Sequence, residues 1–136
     1  MGKNKKKIEK SPFSKNITLI EGSSTNEITV NKIKKLLKNY KKPLIILDSN
    51  HTHKHVLDEL NIYSKFIKKN GYLIVLDSLI EFINKKHNDP KKGFKKGNSP
   101  YTAIIDFLKR NSNFKIDPYF ENKALITSAT SGFLKK

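Results

Sequence analysis

Cysteine is absent from the 136 residues, which excludes disulfides and thiolate-held metals. Arginine is nearly absent. Arg110 stands alone among 28 basic residues, the rest being lysines spread over almost every segment. Nucleic-acid sites favour arginine, whose planar fork grips phosphate and guanine edges at two points. The net charge of +16 therefore reads as a solvated basic surface, and no nucleic-acid partner is expected. A basic module for anions or nucleic acid stays open on the charge alone. No apolar run follows the lysine-rich start, so neither a signal peptide nor a membrane span is expected, and the expected location is cytoplasmic.

Apolar residues make up only 36%, but they come in blocks, and blocks bury a core where scattered residues do not. The length suits one domain. Residues 3–15 read as a short basic helix with Ile8 and Phe13 as apolar contacts, and residues 1–16 as a basic N-terminal segment. Ile17–Ile20 reads as a strand closed by the turn residues Gly22, Ser23 and Ser24. Ile33, Leu36, Leu37 and Tyr40 recur at helical spacing, and Pro43 ends that segment. Leu44–Leu47 is a second strand, apolar on both faces as parallel strands covered by helices are. A helix bearing Val56, Leu57, Leu60, Tyr63, Phe66 and Ile67 runs to Asn70 and Gly71, and Tyr72–Leu76 is the third strand. Residues 84–99 are polar and lysine-rich, a long surface loop of the kind that forms lids. Ser99 and Pro100 start another helix as N-cap and first residue, with Ala103, Ile104, Phe107 and Leu108 on its buried face. Phe114–Lys136 reads as two strands around Glu121 and Asn122, an antiparallel hairpin. The alternation predicts an α/β fold with helices on both faces of a mostly parallel sheet.

In open α/β sheets, ligands bind beyond the carboxyl ends of the strands. Three polar clusters fall there: Glu21 to Ser24, Asp48 to His51, and Asp77 with Ser78. Asp48 and Asp77 each follow an apolar strand directly. Two hard oxygen ligands at neighbouring strand ends suit Mg²⁺ or a similar cation, which needs few protein carboxylates and keeps positions open for substrate oxygens. Either aspartate alone would more often cap the turn that follows; the pair beside Gly22, Ser23 and Ser24 favours the ligand reading. His51 and His55 stand four apart, but no third strong ligand is near for zinc. His51 lies close enough to the strand end to reach the crevice, His53 and His55 read as surface residues, and His87 has no assignable role.

The runs Ile17–Ser24, Leu44–His53 (Leu-Ile-Ile-Leu-Asp-Ser-Asn-His-Thr-His) and Gly71–Asp77 resemble the cephalosporin hydroxylase-like family, which includes rhamnosyl O-methyltransferases. The stretches from Ser99 to Leu108 and from Gly132 to Lys135 resemble the family's ending. The resemblance implies a class I, Rossmann-like methyltransferase sheet using S-adenosylmethionine, with the methyl group going to a hydroxyl of a sugar or small metabolite, in surface glycan or lipid biosynthesis. The architecture is also similar to that of catechol O-methyltransferases. That likeness places Gly22, Ser23 and Ser24 near the cofactor's adenosine, Ser49 beside its adenine, and Asp48 and Asp77 on the metal. His51 falls where the catechol enzymes have a catalytic lysine; imidazole in general titrates near neutrality, as a general base should.

Two departures from the family pattern stand out. An acidic residue usually precedes the aspartate that ends the third strand seen here; this chain has Leu76, so the cation would rely on more water or on another carboxylate such as Glu81. No Glu/Asp-x-Gly-x-Gly-x-Gly loop is present, and the fold's first two strands are not found. The expectation is a truncated sheet, a single partial domain over 1–136, with exposed strand edges. Those edges would pair with a separate N-terminal segment or a second copy. An inactive fragment or non-catalytic subunit of the same fold is the competing reading.

Overall fold

A computed structural model describes residues 2–83 and 93–136. In chain order the elements are α1 (Gly2–Glu9), α2 (Glu27–Leu37), β1 (Ile45–Leu47), α3 (His53–Tyr63), β2 (Tyr72–Val75), α4 (Pro100–Arg110), β3 (Lys115–Ile116), α5 (Tyr119–Ala124) and β4 (Phe133–Lys135). Short 3-10 turns lie at Ser14–Asn16, Ser64–Phe66 and Ser78–Phe82.

Helix starts follow local chemistry. The Asn26 side chain accepts from the Ile28 amide at 3.0 Å and so caps α2, satisfying one of the free N–H groups of its first turn. At α4, the Ser99 hydroxyl caps the Thr102 amide, the Thr102 hydroxyl answers the Ser99 amide, and Pro100 occupies the first helical position. Lys109 and Arg110 close that helix where its dipole favours positive charge.

The sheet runs β1-β2-β4-β3. Strands β1 and β2 are parallel, with Ile45 opposite Leu73 and Leu47 opposite Val75. Strand β4 lies antiparallel to both β2 and β3, with Leu134 between Leu73 and Ile116. Period-two alternation puts Leu47, Leu73, Val75 and Leu134 on one face. There they join Val56 and Leu60 of α3 and Ile104 and Phe107 of α4 in one buried cluster. Each such side chain contributes roughly 1.5–3 kcal/mol on burial. The result is an α/β arrangement on a small mixed four-stranded sheet.

Several expectations are corrected. Ile17–Ile20 forms no strand. Ile17 is extended, at φ −115 and ψ 122, but an extended segment becomes a strand only by pairing, and it has no paired neighbour among the described residues. Leu19 and Ile20 instead line a recess with Asn4, Lys5 and Ile8 of α1. Helix α3 stops at Tyr63, well before Asn70; Asn70 is left-handed, at φ 62, and donates its amide to the Lys136 carbonyl at 2.7 Å.

The closing strands β3 and β4 are antiparallel as expected, yet Glu121 and Asn122 sit in α5 rather than in a tight turn. Aromatic packing explains the helix: Phe120 lies 5.5 Å, ring to ring, from both Tyr72 and Phe133. Helices were expected on both faces of the second strand, but Leu44, just before β1, and Ile46 within it are 59% and 53% exposed. Of the 84–99 loop, residues 84–92 and the call on His87 lie outside the described residues. Among the described residues, no helix is long and apolar enough to cross a membrane.

Candidate functional site

Parallel pairing of β1 with β2 brings both carboxyl ends to one edge of the sheet. The ladder runs one step further, the Leu76 amide donating to the Leu47 carbonyl at 3.0 Å. Asp48 and Asp77 therefore emerge side by side. His51, at the entrance to α3, reaches between them: its Nε2 is 3.4 Å from Asp48 Oδ1 and 3.3 Å from Asp77 Oδ2. One ligand atom from each of the three lies within 4.8 Å of the other two.

Neither aspartate side chain caps a helix among the described residues. The imidazole is 18% exposed, while the Asp48 and Asp77 side chains are 58% and 39% exposed, so the cluster opens to solvent through its carboxylates. Asp77 adopts a left-handed backbone, φ 55, and makes no capping bond with its side chain. Aspartate tolerates that conformation better than most residues, at a cost in strain of the kind that gathers at functional sites. The hydrogen bond of the Asp48 side chain goes to His51, not to a helix N–H. Two carboxylates and an imidazole form a donor set that a divalent cation fits.

Glu81 is not part of this set. Its carboxylate accepts from the Gly97 amide at 2.9 Å and from the Ser99 hydroxyl at 2.6 Å, so it clamps the loop before α4. Leu76, which stands where the family pattern has an acidic residue, offers no ligand atom, and the side chain nearest both aspartates among the described residues is His51.

The residues expected near a cofactor are divided. Ser24 and Ser49 line one groove of about 420 Å³ between α2, β1 and α3, together with Ile33, Leu37, Glu59 and Tyr63. Gly22 lies against Thr29, where a Cβ would collide with the threonine hydroxyl, and the Ser23 hydroxyl bonds to Thr25 at 3.2 Å. Those two shape the turn into α2.

His53 and His55 are half-buried, not surface residues. His53 Nδ1 pairs with the Thr102 hydroxyl at 2.8 Å and ties α3 to α4. His55 Nε2 pairs with the Ser24 hydroxyl at 3.0 Å and ties α3 to the groove wall.

Sequence reasoning missed Glu59. It is 2% exposed, accepts from the Ser49 hydroxyl at 2.8 Å, and keeps its second oxygen buried with no hydrogen-bond partner among the described residues. Helical spacing held the signal, since Glu59 falls on the Val56, Leu60 and Tyr63 face. Burial, then the neighbouring Glu59 charge, push the Tyr63 phenol up, and its hydroxyl donates to the Ser24 carbonyl at 2.7 Å. Phe94 was missed as well. Its ring meets His51 edge-on at 5.3 Å.

Over residues 1–136 the chain matches the family described as Rhamnosyl O-methyltransferase/CmcI. The chain belongs to this family. Proteins named "Rhamnosyl O-methyltransferase" from Mycobacterium tuberculosis (strain H37Rv) and Mycobacterium bovis (strain BCG / Pasteur) are each 35% identical to it over 120 residues, 87% of this chain and 46% of the relative. The protein of that name from Mycobacterium leprae is 32% identical over 120 residues, 87% of this chain and 49% of the relative. The chain thus spans about half the length of the curated relatives it matches. No solved structure gives a significant match. Within this family, the Asp48–His51–Asp77 cluster is the feature of the chain with the clearest chemistry.

Proposed function

We propose that this chain serves methyl transfer from S-adenosylmethionine to a sugar hydroxyl, assisted by Mg²⁺ or a similar divalent cation. The observation that carries the reading is the convergence of Asp48, His51 and Asp77 at the ends of two parallel strands in a member of a rhamnosyl O-methyltransferase family. Asp48 and Asp77 hold the cation. Ser24 and Ser49 meet the adenosine, within a groove whose volume suits a nucleoside, while Gly22 and Ser23 set the turn that presents Ser24. When bound, the cation would lower the pKa of the hydroxyl and S-adenosylmethionine would supply the methyl group.

The chain's own residues then handle the proton. His51 would take it from the hydroxyl as that oxygen bonds to the methyl carbon and the methyl–sulfur bond of the cofactor breaks, the sulfonium leaving as a neutral thioether. The carboxylates of Asp48 and Asp77, on either side of the imidazole, stabilise the positive charge it acquires. Phe94 and Asn50 line a recess together with His51.

A second reading, a non-catalytic subunit of the same fold, draws on the open edge of β1. Leu44 and Ile46 lie exposed there, and an apolar open edge suits a strand from another polypeptide, either a separate N-terminal segment with the glycine-rich loop or a second copy. Titration calorimetry with S-adenosylmethionine, with and without Mg²⁺, separates the two. Heat of binding is expected in both conditions. Its absence at high protein concentration would transfer the chain to the non-catalytic reading.

A further inference from the structure

We propose that Phe94 is the platform on which the sugar ring of the methyl acceptor lies. The inference rests on the methyl-transfer reading above and names the acceptor side of the same site. Ser49, Asn50, His51 and Phe94 line an open recess of about 280 Å³. It adjoins the Asp48–His51–Asp77 cluster through His51, whose ring meets that of Phe94 edge-on, 5.3 Å apart and at 70°.

The loop that presents Phe94 is held from several directions. Lys95 and Asn98 exchange backbone hydrogen bonds of 3.1 and 2.8 Å. Gly93 and Gly97 take positive φ, 75° and 83°, which closes the turn at both ends. The Asn98 amide donates to the Gly93 carbonyl at 2.8 Å, and its oxygen accepts from the His53 amide at 2.9 Å, two residues beyond His51. Glu81 clamps Gly97 from the other side. Phe94 is half-buried and is not a member of the buried core cluster, so this bonding holds a partly exposed aromatic ring beside His51.

The chemistry of such a ring selects its neighbour. An aromatic face carries negative potential, and the C–H bonds on one face of a pyranose are weakly positive and apolar, while its hydroxyls project from the rim. A pyranose stacked on Phe94 keeps rim hydroxyls free to turn toward His51 and the two carboxylates. Asn50 supplies a polar side-chain amide at the wall for a remaining hydroxyl.

Saturation-transfer NMR on the whole chain, in Mg²⁺, with methyl α-L-rhamnopyranoside as probe, tests the idea. Irradiation of aromatic protons is expected to reach the sugar's ring C–H protons. Phe94→Ala and Phe94→Leu are expected to abolish that transfer and weaken the probe about tenfold or more, and Phe94→Tyr to retain it. Circular dichroism and the calorimetric response to S-adenosylmethionine are recorded on each variant. Unchanged sugar binding in Phe94→Leu, no binding of the probe by the wild type, or preference for catechol over the glycoside would overturn the platform. Loss of sugar contact in a chain that gives no heat with S-adenosylmethionine would uphold the platform while removing the methyl-transfer reading.

Discussion

Replacing Asp77 by asparagine should have opposite effects with and without a divalent cation. Asparagine tolerates the left-handed backbone at this position (φ 55) at least as well as aspartate, so the change adds no backbone strain. Without a cation, the ligand oxygens of Asp48 and Asp77 lie within 4.8 Å of each other, and both side chains are more than a third exposed. At the dielectric of water, two unit charges at that separation repel by about 1 kcal/mol, and salt reduces this. His51 between them offsets part of it. The metal-free variant should therefore equal the wild type or exceed it by up to about 1 kcal/mol, roughly 3 °C in Tm for a domain of this size.

With cation at a hundredfold excess over its Kd, the wild type gains about 2.7 kcal/mol, roughly 8 °C by the same conversion. Asp77→Asn should forfeit most of that gain. Differential scanning calorimetry in EDTA and in excess Mg²⁺ or Mn²⁺ reads both differences. A metal-free variant several degrees less stable than the wild type would make Asp77 a structural group. Equal cation-induced shifts in the two proteins would remove it from the ion site.

Two further outcomes follow from named contacts. Ser99→Ala removes the cap on α4 and the hydroxyl that Glu81 accepts, and should cost about 1–2 kcal/mol in urea denaturation; a loss below about 0.5 kcal/mol would show that the capping box contributes little. The Tyr72 hydroxyl, by its 2.6 Å bond, is the main cause holding the Asp117 carboxyl below its ordinary range, and the same bond raises the Tyr72 phenol. A depressed carboxyl stabilises the fold above its unfolded pKa and loses that contribution as pH falls through the folded value; a raised phenol stabilises below its unfolded pKa and loses it as pH rises through the folded value. Tyr72→Phe should shift the Asp117 titration upward by carbon NMR and shrink the stability gap to the wild type in strong acid. An unmoved titration would dismiss Tyr72 as the cause.

Periodicity and local chemistry were enough for much of the secondary structure. The Ser99–Pro100 start of α4 and the strand character of Ile45–Leu47 and Tyr72–Val75 are legible because each depends on near neighbours in the chain, and the parallel pairing of those two strands follows from the helix that connects them. The placing of Asp48 and Asp77 at adjacent strand ends was legible for the same reason: a residue that directly follows a buried strand has to emerge at its rim. Other features were set by distant partners. Ile17–Ile20 has strand composition but no strand to pair with among the described residues, and Glu121 and Asn122 were drawn into α5 by the packing of Phe120 on Tyr72 and Phe133.

The sequence alone determined residue types, spacings and the ends of elements, because those follow from backbone and side-chain preferences within a few residues. The tertiary structure decided which groups meet: His51 between two carboxylates, Glu81 drawn off to hold a loop, Glu59 buried against Ser49, and Phe94 brought to His51 across 42 intervening positions of chain order. Contacts of that range depend on how whole helices dock on the sheet, and no local pattern encodes them.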